Sequence, residues 1–476
     1  MKIKRNISRQ DWAAFLAALA AGLCAHLRIF VSDIPNHDGL SGIYFDQNMI
    51  TSGRWFLTVA CHISTDYTLP WVIGLLSLIY LGLTAAALCR FLELKHTYSA
   101  VMIGALLAVY PSLSSDFAYI FTADGYMLAL FLAVLAVCLV ERSSKGFLWG
   151  GILLGFSMGI YQAYLSFAMV LAVYGVCRAW FFKRNVRENW LLTLRYVGMG
   201  TLGAAVYYGM LQLLLKLQNT ELSGYQGIGS ENSQSIVSIL VNVYQDFVTH
   251  TLRGNIMMQK GILLAAAVVL FAAAALALGA AFARAGSFRN VWSLLCLLAA
   301  VVILPVCFNV MLVISPEVTY HSLMRYQWVL MPVCAVALID RHGEEFQSER
   351  LACVLPWAGL ISASVVIFSY ILICNVAYFN LEKKFSKTYS YCLRLLDRIE
   401  QMEGYTYDMP IAMIGVVSDE TFPSTDLTVG VTDSLLGTSG DYLVYTARNY
   451  QDFWEYYFGV TVQLVDSDQI TEIYES

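Results

Sequence analysis

Apolar runs of membrane-spanning length dominate the chain, at approximately 11–31, 70–89, 97–113, 125–140, 146–161, 164–181, 190–214, 261–282, 290–314, 322–340 and 351–376. A helix needs about 20 mostly apolar residues to cross a hydrocarbon core, so the pattern predicts about eleven transmembrane helices. The runs at 125–140 and 146–161 are short, which implies extension into their flanks or a tilted or broken helix. The first run follows Lys2, Lys4, Arg5 and Arg9 but extends from Trp12 to Val31 at full length, and Cys24-Ala25-His26-Leu27-Arg28 is a poor cleavage site. It reads as a retained helix and not a signal peptide.

Beyond the last run the period changes. Leu381 to Met402 has helical spacing through Tyr391, Leu393, Leu395, Leu396 and Ile399. The stretches 410–417, 442–445 and 460–465 then read as buried strands. The expected organisation is a transmembrane domain over 1–380, with loops 31–69, 114–124 and 215–260 on one side, and a small α/β domain over 381–476. No internal repeat or inverted symmetry relates the halves.

Charge sets the expected orientation. Basic residues recur in alternate loops, at the N-terminus, Arg90/Lys95, Arg142/Lys145, Lys183/Arg184/Arg187, Arg284/Arg289 and Arg341/Arg350. Cytoplasmic retention of Lys and Arg places these inside, with the N-terminus cytoplasmic and the C-terminal domain outside. With 58% apolar residues, 13% charged residues and a mean hydropathy of +0.61, an ordinary soluble protein is excluded, since those carry about 25% charged residues. The net charge of −5 offers no basic field for nucleic acid. The eleven cysteines lie almost all in apolar runs without a CxxC pair and read as small buried hydrophobes.

Candidate chemistry gathers in the loops expected outside. The first carries Asn36-His37-Asp38-Gly39, then Asp46, then Ser52-Gly53-Arg54-Trp55. A continuous helix from Asp38 to about Cys61 would put Asp38 and Asp46 on one face, roughly 12 Å apart along the axis. The second loop adds Asp116 and Asp124, each of which could instead cap a helix. Arg325 opens an apolar run against the positive-inside trend, near His321, and needs a partner or ligand. Together with Arg54 it could grip a phosphate, or it could pair with Glu317 or Asp124. Tyr161-Gln162-Ala163-Tyr164 forms a tight turn with the rings and amide that suit a sugar. No phosphate-binding Gly-Lys-Ser/Thr loop, HExxH or metal-type Cys/His spacing occurs. The lone GxSxG match, Gly155 to Gly159, lies inside a run and reads as helix packing. Carboxylates at these spacings also suit a hard divalent cation.

The order of these parts resembles the polyprenyl-phosphate-sugar-dependent membrane glycosyltransferases of GT-C fold, most closely the serotype-converting O-antigen glucosyltransferases of the Gtr type-two kind. The resemblance rests on His37-Asp38, Ser52-Gly53-Arg54-Trp55, Ser115-Asp116, Thr122-Ala123-Asp124-Gly125 and the small tail. It implies an all-α polytopic membrane protein, GT-C-like, with an extracytoplasmic α/β appendage. It also implies transfer of a glucosyl or similar hexosyl residue from a polyprenyl phosphate donor to a cell-surface glycan or its lipid-linked precursor, beside enzymes that make and flip the donor.

By the same resemblance Asp38 is the catalytic acidic residue. The family often has two adjacent acidic residues there, whereas this chain has His37 before Asp38, leaving Asp46 or Asp116 to supply the second carboxylate. On chemical grounds an inverting transfer needs a base for the acceptor hydroxyl and a cation for the leaving phosphate. These roles suit Asp38, with His37 orienting it or binding the acceptor, and Arg54 with Arg325. A glycolipid flippase and a surface-glycan polymerase or ligase are the competing readings; the spans, mostly free of charge, and the absence of symmetric halves argue against the flippase.

Overall fold

The computed structural model describes residues 7–41, 47–64, 67–183, 185–224, 234–259, 261–344, 346, 349–414, 443–444 and 446–465. Among these, nine helices are long and apolar enough to cross a membrane, or ten with one bent pair counted as a span. The long ones are α1 (Arg9–Phe30), α3 (Pro70–Leu92), α6 (Ile120–Arg142), α8 (Tyr164–Phe182), α9 (Val186–Gln218), α11 (Ile262–Ala285), α12 (Val291–Phe308), the segment Ser322–His342 that ends in α14 (Leu330–His342), and α15 (Glu349–Glu400). The bent pair is α4 (Thr97–Val109) with α5 (Ser112–Ala118), and α7 (Gly146–Ile160) is a shorter apolar helix. Each of the eleven predicted runs is therefore helical. The short run at 125–140 lies within a 23-residue helix, whereas α7 keeps only 15 residues.

Local chemistry explains the boundaries. Ser8 and Asp11 form a reciprocal capping box at the start of α1, and Pro70 begins α3, where a missing amide costs nothing. The bundle is built by α1 on α3 and α4, α3 on α6, α6 on α7, α7 on α9, α8 on α12, and α11 on α14 and α15. The GxSxG segment is a packing surface: a Cβ on Gly155 would lie 2.6 Å from a Val206 methyl of α9, and Ser157 Oγ donates to Ala129 O at 2.7 Å.

The bend between α4 and α5 has one cause. Pro111 has no amide to give the Leu107 carbonyl, and the turn at Tyr110 also diverts the carbonyls after it. Three side chains from other helices serve instead. Tyr326 Oη donates to Leu107 O at 2.7 Å, His26 Nε2 meets Ala108 O at 2.8 Å, and Cys374 Sγ approaches Val109 O at 3.6 Å. A carbonyl only accepts, so the His26 proton sits on Nε2, and Nδ1 accepts from Tyr378 Oη at 2.6 Å.

Ionic contacts separate to the two ends of the bundle. At one end Arg90 pairs with Asp11, Arg178 with Glu141, and Arg341 with Glu93, while Asp340 accepts from the Lys95 and His96 amides. At the other end Arg28 pairs with Glu382 and Arg325 with Asp246. Beyond the second end α15 continues through 381–400, in agreement with the helical spacing there, and supports a small second core. Cys392, Leu396, Tyr450, Phe453 and Trp454 pack there around Leu40 from the first loop, with α16 (Ala447–Phe453) alongside. Among the described residues the first and third expected strand segments meet at one parallel bridge, Ile411 to Leu464. Residues 415–417, 442 and 445 of the expected strands lie outside the described ones, and Leu443 and Val444 of the second expected strand form no bridge among the described residues.

Tyr326→Phe leaves Leu107 O without its donor, so the detergent-solubilised protein is expected to lose about 1–3 kcal/mol of stability. Denaturant unfolding followed by circular dichroism measures this, and an unchanged midpoint would mean another donor takes over.

Candidate functional site

The first loop does not form the continuous helix that would align Asp38 with Asp46. Its described parts are a 3₁₀ turn over His37–Ser41, a second over Ile50–Ser52, and the short helix α2 (Leu57–Cys61). Gly53 breaks the register with φ of +79°, and a Cβ there would meet Tyr207 Oη at 2.6 Å and Gln162 Nε2 at 2.7 Å. The chain then folds back, Met49 bridging Arg54, and turns the Arg54 side chain into the bundle.

There Arg54 Nη1 donates to Tyr126 Oη at 3.1 Å, and its guanidinium carbon lies 5.1 Å from the Tyr161 ring centre. Tyr126 and Tyr161 stack with centres 4.2 Å apart. Gln162 Nε2 donates to Ser52 O at 3.3 Å and to Tyr207 Oη at 3.0 Å. The expected turn at Tyr161-Gln162-Ala163-Tyr164 is present between α7 and α8, and it holds a ring and an amide against Arg54.

Asp116 lies in the middle of α5 and caps nothing. It is fully buried, and neither carboxylate oxygen has a hydrogen-bond partner among the described residues. Around it are the tyrosines Tyr126, Tyr164, Tyr326 and Tyr378, with the hydroxyls of Tyr164 and Ser115 equally unpartnered among the described residues. Burying a carboxylate without a donor is costly, and an ionisable group held so within a membrane bundle marks a functional position. Arg54 touches Tyr126, and the charge of Asp116 also reaches that hydroxyl, which relates the second-loop carboxylate to the first-loop cation and the Tyr161-Gln162 turn.

The other candidates have different surroundings. Asp38 is exposed on its 3₁₀ turn, whose Leu40 is held by the C-terminal core. His37 lies in the same turn, its side chain outside the described atoms, and Asp46 lies outside the described residues. Asp124 is buried on α6 but faces Cys61, Ser64 and Tyr80. Arg325 is not available as the second half of a phosphate grip with Arg54. Both its terminal nitrogens donate to Asp246 at 2.8 Å, over the Tyr320 ring at 3.9 Å, so its partner is neither Glu317 nor Asp124. His321 precedes the 3₁₀ segment Ser322–Val329 that carries Arg325. Among the described residues no three His, Cys, Asp or Glu side chains converge as a metal site.

Sequence reasoning missed Asp246, Tyr326, Tyr378 and His26. For Asp246 a signal existed: Val237, Leu240, Val241, Tyr244 and Val248 repeat at helical spacing, and α10 (Ile236–Thr249) carries it there. For His26 and the two tyrosines none did, since their partners are 82 to 352 residues distant.

Next to the Arg325–Asp246 pair, burial and then the Arg325 charge hold His250 down at about 3, with Asp246 opposing. Its ring packs on Trp328 at 4.6 Å. A histidine that is neutral when folded but protonates near pH 6.5 when unfolded contributes fully above 6.5 and loses that contribution as pH falls toward 3. The protein is therefore expected to lose about 2 kcal/mol through this group by pH 5. His250→Gln should remove that part of the acid sensitivity; parallel pH dependences of the unfolding midpoints in the two proteins would refute it.

Comparison with known proteins places this geometry in context. A family model described as glucosyl transferase GtrII matches residues 27–335, which include Arg54, Asp116, Tyr161, Gln162 and Arg325. No curated protein and no solved structure matches the chain.

Proposed function

Because the chain belongs to the glucosyl transferase GtrII family and is a multi-pass membrane glycosyltransferase, we propose that it uses a polyprenyl phosphate donor. It moves a glucosyl or similar hexosyl residue from that donor to a cell-surface glycan or its lipid-linked precursor. The observation that carries this reading is that Arg54 lies against Tyr126 and Tyr161, while Asp116, whose oxygens have no partner among the described residues, acts electrostatically on the same Tyr126.

In this mechanism the acceptor hydroxyl gives its proton to Asp38, the base implied by the family resemblance. The acceptor oxygen bonds the anomeric carbon, the bond from that carbon to the phosphate oxygen breaks, and the electron pair leaves on the polyprenyl phosphate. The phosphate gains a negative charge, which Arg54 stabilises in surroundings poor in water. Tyr161 offers a face to the hexose and Gln162 a hydrogen-bonding edge. Asp116 accepts hydrogen bonds from sugar hydroxyls, which supply the donors it lacks.

A second reading exchanges the two carboxylates and makes Asp116 the base. Its unpartnered oxygens favour this, because Asp38 is exposed and would have to be covered by substrate.

The transfer takes place outside the cytoplasm, with the N-terminus cytoplasmic, the C-terminal segment extracytoplasmic and the membrane the bacterial inner one. The support is the concentration of loop cations at the end carrying Arg90, Arg178 and Arg341.

The test is sugar transfer by the purified protein from polyprenyl-phosphate glucose. Asp38→Asn should lower kcat by about 10²–10⁴-fold, the usual contribution of a general base, with the donor KM kept, whereas Asp116→Asn should raise KM. The reverse split selects the second reading, and full activity in both variants removes the carboxylates from the mechanism. Arg54→Gln should lower kcat for the monophosphate donor, and activity only with an oligosaccharide pyrophosphate would indicate a polymerase or ligase.

A further inference from the structure

At the end of the bundle opposite Arg54 and Asp116, α1 and α6 both pack along α3 but make no comparable contact with one another. The furrow between them is a cavity of about 590 Å³. Its walls are hydrocarbon, from Phe15 of α1, Leu83 and Ala87 of α3, and Phe131, Leu135 and Leu139 of α6. Its mouth is polar, bordered by Trp12, Asp11, Arg90, Glu141 and Arg142.

The charges at the mouth do not cancel. Asp11 is 2% exposed and its Oδ2 takes Nε and Nη2 of Arg90 at 3.0 and 2.6 Å, leaving Arg90 Nη1 without a partner among the described residues. Glu141 accepts from Arg178 and from Tyr196 Oη. Each acid is thus matched by a cation, and Arg142 remains over, exposed and in no ion pair among the described residues. Trp12, 51% exposed, stands at the rim as indoles do at the boundary between hydrocarbon and water.

We propose that this furrow binds an anionic glycerophospholipid, an acyl chain lying along α3 and the phosphodiester held by Arg142 and Nη1 of Arg90. A groove with apolar walls and one surplus cation at its mouth matches a molecule with a hydrocarbon tail and a single negative charge. A choline lipid would add an ammonium that removes the charge match. The site is separate from the sugar-transfer cluster and does not depend on the donor assigned there.

The experiment is native mass spectrometry of the full-length protein in detergent, titrated with phosphatidylglycerol or phosphatidylcholine of the same chains, with undecaprenyl phosphate as competitor. The expected result is preferential retention of phosphatidylglycerol, about tenfold weaker in Arg142→Gln, the loss of one charge-assisted hydrogen bond. Ala87→Phe, which fills the floor and leaves every charge in place, should weaken it as well. Equal retention of the two phospholipids, an unchanged preference in Arg142→Gln, or displacement of phosphatidylglycerol by undecaprenyl phosphate would each overturn the proposal. Arg142 is exposed and in no ion pair among the described residues, so its variant keeps the fold and the result is readable.

Discussion

Everything at the candidate site follows from a helix that has to break inside an apolar bundle. Hydrocarbon offers no water to an orphaned carbonyl, and an unsatisfied group there costs several kcal/mol. Pro111 orphans Leu107 O, and the turn that follows diverts its neighbours. The remedy is supplied by Tyr326, His26 and Cys374, drawn from three different helices. Those bonds fix α5 at 49° to α4, and α5 is what carries Asp116 into the ring of tyrosines. The break thus stabilises nothing by itself; it sets where a carboxylate stands, and the surrounding helices make that position tolerable.

The same economy of donors governs the first loop. Gly53 takes a backbone conformation that other residues avoid, and the space a side chain would need is filled by Tyr207 and Gln162. The reversal turns Arg54 inward, where the faces of Tyr126 and Tyr161 replace part of the hydration a guanidinium gives up. Arg325 solves the same problem with a carboxylate. Its bidentate pair with Asp246 satisfies the charge internally, which makes Arg325 a structural cation and leaves Arg54 as the one of the two that lies against Tyr126 and Tyr161. The Leu40 contact adds a mechanical link, since a residue two positions from Asp38 is buried among side chains some 350 to 420 residues later in the chain.

Much of the helical framework was legible in the residues. All eleven apolar runs became helices because backbone satisfaction in hydrocarbon leaves a long apolar segment little alternative. Their ends were readable too, from Ser8 and Asp11 or Pro70. Less legible were elements whose pattern is weaker. The amphipathic α10, with Asp246 on its polar side, passed unnoticed in a polar loop. The first loop, where a helix from Asp38 to about Cys61 would have aligned Asp38 with Asp46, has among its described residues two 3₁₀ turns and a short helix, with Gly53 breaking the register.

By itself the sequence determined the class of the protein, the helical segments, the separation of cations to alternate loops and the presence of Arg54, Asp116, Tyr161 and Gln162 as candidates. These depend on composition, local periodicity and the chemistry of single side chains, all written in neighbouring positions. Only the tertiary structure decided which candidates meet. It joined Arg54 to Tyr126 and Tyr161, left Asp116 without a donor among the described residues, gave Arg325 to Asp246 and placed Asp38 on an exposed turn. Such choices are settled by the packing of helices remote in the chain, where a hydrogen bond a few ångströms long links residues hundreds of positions apart.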